Sequence, residues 1–235
     1  MILMGAAIGV GHDSLAVPRQ RSGPGGSAEL SLYNRGGEFS IRVNGCELMN
    51  SRVHGSEDAL AEFACARIGS RPSRRILIGG LGMGFTTGAA LQRLDVESRV
   101  VVAELVPKVV EWNRKFFGEL TGHPLQDPRV TVREADVALI LQSEHQAYSA
   151  ILLDVDNGPE GFTCKGNDWL YSEAGAETAF AALQPAGVLA VWSAGPDMAF
   201  AKRLRRVGFV VEELSVRGRG PAGGNRHTIW IAARS

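Results

Sequence analysis

From Arg75 onward the chain repeats one unit, a short apolar run followed by an amphipathic stretch. The runs are RILIG, RVVVAE, RVTVRE, AILLDV and GVLAVWS, then FVVEEL and TIWIAA. Strands that are apolar on both faces must be covered on both faces, and strands joined by helices run parallel. The sequence therefore predicts an α/β fold with a doubly wound, mostly parallel sheet. Only SVRGRGPAGGNRH separates the last two runs, and it carries no helical period. A hairpin there makes the last strand antiparallel and brings the sheet to seven strands.

Upstream of residue 50 the period changes to two. AELSLYN and EFSIRVN flank Arg35-Gly36-Gly37, and Asn44-Gly45 marks a second tight turn, so residues 28–50 read as hairpins. HGSEDALAEFACARIG reads as a helix. Ser56 is placed to cap it, Leu60, Phe63, Ala64 and Ile68 share one face, and Gly69 suits its end. Residues 28–70 are thus expected to form a small hairpin-and-helix module, and 71–235 a Rossmann-like nucleoside-binding domain. Residues 1–27 begin without a basic stretch and turn Gly/Pro-rich; they are expected to be a flexible segment, not a signal peptide.

Composition narrows the partners. Lys+Arg and Asp+Glu each total 25, so the formal charge is zero and a chain-wide nucleic-acid footprint is not expected. The local basic clusters, Arg71 with Arg74 and Arg75, and Lys202 with Arg203, Arg205 and Arg206, read as solvated faces. Cys46, Cys65 and Cys164 are too scattered for a disulfide framework or a metal knuckle, which points to a reducing cytoplasm. No apolar run approaches the ~20 residues that span a bilayer. His227 is a lone histidine with no matched Cys or Asp spacing, and no metal is expected.

The first run of the repeat ends in Gly79-Gly80-Leu81-Gly82-Met83-Gly84. In a doubly wound sheet the ligand crevice lies outside the carboxyl ends of the strands, and this turn occupies such an end. Phe85 stands where a dinucleotide fingerprint wants a small residue, and the turn has no basic residue, so it is not a P-loop. Three acids end later strands: Glu104 in VVVAELVP, Asp136 in VREADVAL and Asp154 in ILLDVDNG. A carboxylate after the second strand can accept both ribose hydroxyls of a nucleoside, and one after the third can accept an exocyclic adenine N–H. The ligand implied is S-adenosylmethionine or a relative, with Gly79, Gly80, Gly82, Gly84, Glu104, Asp136 and Asp154 around it.

With ILIGGLGMG, VVVAELVPKVVEWNRKFF, DPRVTVREAD, YSAILLDVDNGPEG and LQPAGVLAVWS in this order, the chain resembles spermidine synthase and its relatives, which share the class I methyltransferase fold. The resemblance covers nearly everything after residue 28. It implies a decarboxylated S-adenosylmethionine donor, a small amine acceptor and a homodimer. The chain departs from the family at telling positions. The family's G-G-G-D-G-G turn has Gly82 in place of its Asp, which is thought to hold the amino end of the donor. In the family's D-S-S-D-P segment, Asn157 stands where the candidate general base would be. The family's Tyr-His pair becomes Leu60 and Ala61.

Alkyl transfer from a sulfonium needs orientation and a carboxylate that takes or balances the acceptor's proton. Asp154 and Asp156 are the candidates, with Asn157 beside them. His54 and Glu57 open the helix that roofs the site in the family, and Trp169 and Tyr171 are flat side chains for an acceptor pocket; these four are the candidate acceptor contacts. The missing turn Asp would have repelled the carboxylate of intact S-adenosylmethionine. Its loss favours methyl transfer to a small amine-like acceptor as the leading expectation. The alternatives are aminopropyl transfer with a rebuilt site, and a non-catalytic nucleoside-binding homologue.

Overall fold

In the computed structural model the described residues are 14–15, 30–70, 72–155 and 168–235. The segment expected to be flexible, 1–27, therefore lies outside them apart from Ser14–Leu15, and so do Asp156 and Asn157. Contacts divide the chain into two compact units, one ending at Arg52 and one beginning at Val53.

The first unit is an antiparallel sheet in the order β1-β2-β3-β4: β1 (Ser14–Leu15), β2 (Leu30–Arg35), β3 (Glu38–Val43) and β4 (Cys46–Asn50). Its turns follow the sequence signals. Gly36 and Gly37 have φ of 61° and 87°, and Asn44 and Gly45 have 50° and 82°, the double left-handed geometry that suits a two-residue hairpin. Leu32 and Ile41 face each other across β2 and β3 and are fully buried.

The second unit begins with α1 (Gly55–Ile68), the helix that the sequence grouped with the hairpins. It packs on α2 and on the later strands of the large sheet. Ser56 is not its cap. The helix starts two residues earlier, with His54 in the cap position, and the first amide, Gly55 N–H, donates to the Gly218 carbonyl at 2.7 Å. A carbonyl distant in sequence takes the bond that a side-chain cap would have made. Leu60, Ala61, Ala64 and Ile68 are buried against the sheet.

Then follow β5 (Arg75–Gly79), α2 (Phe85–Leu91), β6 (Arg99–Ala103) and α3 (Pro107–Trp112), which runs on through a π-helical turn (Asn113–Phe117) into α4 (Gly118–Thr121). The rest is β7 (Val130–Arg133), α5 (Val137–Ser143), β8 (Tyr148–Leu153), α6 (Glu173–Ala182), β9 (Leu183–Ser193), α7 (Met198–Val207), β10 (Phe209–Arg217) and β11 (Arg226–Arg234). The sheet has seven strands in the order β10-β11-β9-β8-β5-β6-β7. Strands β5, β6, β7, β8 and β9 are mutually parallel, and β11 lies antiparallel between β9 and β10, as the short connection from β10 requires. Ile76, Leu77, Ile78, Val100, Val102, Ile151 and Leu152 are buried almost completely, which explains their two-faced apolar runs. Among the described residues no helix is long and apolar enough to cross a membrane.

Candidate functional site

The strand order reverses between β5 and β8. From β5 the chain winds outward to β6 and β7, and from β8 it winds the other way. Helices on either side of such a point part and leave a crevice at the strands' carboxyl ends. Gly79 pairs with Leu153 there, and Asp154 N–H donates to the Gly79 carbonyl at 2.8 Å.

The glycine turn is shaped by this neighbour. Gly80 has φ of +90°, and a Cβ on it would lie 2.2 Å from the Asp154 carbonyl oxygen. Only glycine fits a left-handed residue pressed on a backbone. Gly82 (φ 52°) and Gly84 (φ 92°) are also left-handed, and Gly84 occupies the cap position of α2. Leu81 and Met83 turn inward and are buried, so the crevice side of the turn is bare backbone.

Two polar side chains hold the turn. The Glu104 carboxylate is buried and accepts Leu81 N–H at 3.0 Å and Val106 N–H at 2.8 Å. A carboxylate has about four lone-pair positions, so one side chain holds both backbone amides at once. Asn113, at the start of the π-helical turn and buried, donates its amide to the Gly82 carbonyl at 2.8 Å and the Val109 carbonyl at 3.0 Å. No local pattern announces Asn113; the bond spans 31 residues. Leu105, directly after Glu104, is 65% exposed, an apolar surface next to a carboxylate that could take a nucleobase face. Asp136 follows β7 as expected, and its Oδ1 caps α5 by accepting Ala138 N–H at 2.8 Å.

Asp154 stands at the end of β8. Its Oδ2 accepts the Thr86 hydroxyl at 2.5 Å, a contact made from α2 that sequence inspection does not reveal. Burial pushes its carboxyl up to about 6, against the opposing pull of the Thr86 bond. Glu57, in the first turn of α1, is pushed up to about 8, first by burial and then by the charge of Asp154, while the Ser56 hydroxyl at 3.1 Å opposes the rise. The charge of Asp154 thus adds to the effect of burial on a carboxyl from a distant segment.

The remaining expected site residues divide. His54 stacks on Phe85 with ring centroids 4.1 Å apart and an interplanar angle of 7°, and its Nδ1 lies 2.7 Å from Asp58 Oδ2. That ring lines a groove of about 350 Å³ between α1 and α2. Tyr171 is buried, edge-on to Phe200, and donates its hydroxyl to the Val155 carbonyl at 3.1 Å. It braces the backbone that follows Asp154. Trp169 is half-buried and packs against the core beneath α6. Among the described residues no group of His, Cys, Asp and Glu is arranged to hold a metal ion.

A model of the spermine/spermidine synthase domain matches residues 58–201. The chain belongs to that family. Its fold is similar to that of a spermidine synthase from Thermotoga maritima, with a TM-score of 0.71 and 18% identity over 93% of this chain and 72% of that one. A spermidine synthase in complex with the transition-state analogue AdoDATO gives 0.70 and 18% at the same coverage of 93% and 72%. A probable spermidine synthase from Corynebacterium glutamicum gives 0.61 and 18% over 88% of this chain and 77% of that one. At such identity the likeness is one of fold. A sequence comparison with curated proteins finds no match.

Proposed function

We propose that the chain transfers an alkyl group from a sulfonium nucleoside to a small amine, and that the group is the aminopropyl chain of decarboxylated S-adenosylmethionine. One observation carries the reading. In a member of the spermine/spermidine synthase family, a bare glycine turn tied to a buried Glu104 shares its crevice with the Asp154 carboxyl. The turn and the acid fit a nucleoside without phosphates. Gly79, Gly80, Gly82 and Gly84 supply close-approach backbone, Glu104 takes the ribose hydroxyls, and Asp136 takes the adenine amine.

The acceptor's unprotonated nitrogen attacks the propyl carbon bonded to sulfur. The C–S bond breaks with its electron pair going to sulfur, methylthioadenosine leaves, and the new ammonium gives up a proton. Asp154 orients that nitrogen and takes the proton. His54, Glu57, Trp169 and Tyr171 belong to the acceptor side, the last two by shaping the chain around Asp154.

Methyl transfer is the second reading, and Gly82 is the observation that favours it. With no carboxylate in the turn, the carboxylated donor meets no like charge there. The test is a calorimetric titration with S-adenosylmethionine, its decarboxylated form and methylthioadenosine, followed by mass spectrometry of products formed with a panel of amines. Preference for the decarboxylated donor and an aminopropylated product are expected. Preference for the carboxylated donor with a methylated product would transfer the assignment to the second reading. Nucleoside binding without turnover of any amine would leave a binding protein.

A further inference from the structure

We propose that Thr86 is the positioning residue for Asp154: its hydroxyl, delivered from α2, holds one oxygen of the carboxylate, so that the other is presented to the acceptor nitrogen in one fixed direction. The inference rests on the alkyl-transfer reading above and deepens it, by naming a residue of that site that acts through Asp154 and not on the reactants.

The Asp154 main chain is clamped from the β5 side. Its N–H donates to the Gly79 carbonyl at 2.8 Å, and its own carbonyl oxygen lies where a Cβ on Gly80 would come within 2.2 Å. The next carbonyl, that of Val155, accepts the Tyr171 hydroxyl at 3.1 Å. With the backbone held, the carboxylate keeps only the rotations of its own side chain. Thr86 is buried, and its Oγ1 removes those rotations by donating to Asp154 Oδ2 at 2.5 Å. A helical threonine can turn its hydroxyl back to the carbonyl four residues earlier. Here that carbonyl belongs to Gly82, and it accepts the Asn113 amide. Asn113 also packs against the start of α2: a Cβ on Gly84, the cap position, would meet Asn113 Oδ1 at 2.7 Å. Thr87, the next residue, is fully buried as well, yet its hydroxyl has no partner among the described residues. Of two adjacent threonines, one is aimed at Asp154.

The bond has a chemical consequence. A group that takes a proton from the new ammonium must itself be ionised. Burial pushes the Asp154 carboxyl up to about 6, and the Thr86 hydroxyl, which bonds the charged form, pulls against that rise. Without the hydroxyl the carboxyl keeps its proton to higher pH, and its direction is no longer fixed. The other titratable groups toward this corner, among the described residues, come from three elements. α1 brings Glu57, pushed up to about 8, and Asp58, whose Oδ2 lies 2.7 Å from His54 Nδ1. The end of β6 brings Glu104, which accepts the Leu81 and Val106 amides. β11 brings His227, which burial holds below its usual pKa. The side-chain bond that opposes burial at Asp154 is that of Thr86.

The test compares Thr86→Val, which keeps the shape and removes the hydroxyl, with Thr86→Ser, which keeps the hydroxyl, and with Thr87→Val, which removes the neighbouring one. The Asp154 carboxyl is titrated in the free protein by NMR of isotope-labelled aspartates, with Asp154→Asn identifying its resonance, and kcat for alkyl transfer is measured from pH 5 to pH 9. Thr86→Val should raise the Asp154 midpoint by about one pH unit and move the acid limb of kcat up with it. On the alkaline plateau, where the carboxylate is ionised and only its direction is lost, kcat should stay about fivefold low, with KM for the amine within about threefold. Affinity for methylthioadenosine should not change. Thr86→Ser should restore the midpoint and the plateau, and Thr87→Val should match wild type in both. If Thr86→Val does not fold, Thr86→Ala is measured with the same expectation. A wild-type midpoint without the hydroxyl, or a kcat lowered equally by Thr86→Val and Thr87→Val, would overturn the positioning role and leave the alkyl-transfer reading standing. Wild-type protein that binds methylthioadenosine but transfers no group from either donor to any amine would overturn the alkyl-transfer reading and this inference together.

Discussion

Gly80→Ala is the substitution whose consequence the structure fixes most tightly. The added Cβ would sit 2.2 Å from the Asp154 carbonyl oxygen and 2.9 Å from its carbon, at φ of +90°. A left-handed L-residue costs roughly 1–2 kcal/mol. The overlap is with backbone, which cannot swing aside as a side-chain tip does, and forced overpacking adds about 1–3 kcal/mol. Together these destabilise the larger unit by roughly 3 kcal/mol, which at this size lowers Tm by about 6–12 °C. Gly122→Ala is the control. Gly122 also has a positive φ, 75°, but a Cβ there meets nothing within 4 Å. It should lose only the conformational part, about 1 kcal/mol. Melting curves of both variants, with methylthioadenosine titrations, decide the matter. If Gly80→Ala melts no lower than Gly122→Ala and binds the nucleoside as wild type does, the close approach of the turn to β8 is wrong.

Other outcomes follow from the same contacts. The Glu57 carboxyl holds its proton more tightly folded than unfolded, its pKa rising from 4.5 to about 8. Wild-type stability should therefore fall between those values relative to Glu57→Gln, by up to a few kcal/mol, so the Tm difference between the two should widen from pH 5 to pH 9; a constant difference would refute the burial of that carboxyl. Glu104→Ala leaves the Leu81 and Val106 amides without their acceptor, costing about 1–3 kcal/mol, and should abolish methylthioadenosine binding in calorimetry. Asn113→Ala should release the Gly82 carbonyl, cost about 1–2 kcal/mol in a urea melt, and weaken nucleoside binding about tenfold. Sedimentation velocity at micromolar concentration should show a dimer; monomer alone would remove the homodimer that the family resemblance implies.

The sequence by itself determined what depends on short range. The seven apolar runs place the seven strands, because a two-faced strand is written into its own residues. The Asn44-Gly45 and Gly36-Gly37 turns, and the glycine turn after β5, were legible because left-handed backbone selects glycine or asparagine locally. Glu104, Asp136 and Asp154 were legible as acids at strand ends, since the end of an apolar run marks the end of a strand. Tertiary structure decided which of those acids meet other groups. Ser56 looks like a cap, yet the Gly218 carbonyl takes the helix start, because a loop 163 residues later folds against it. Asn113 looks like any helical residue, yet a π-helical turn aims it at Gly82. Thr86 and Glu57 carry no signature of a partnership with Asp154. Thr86 acquires it because the sheet sets β8 beside β5, and Glu57 because α1 packs over β8, where the charge of Asp154 adds to the effect of burial; no local period connects these segments.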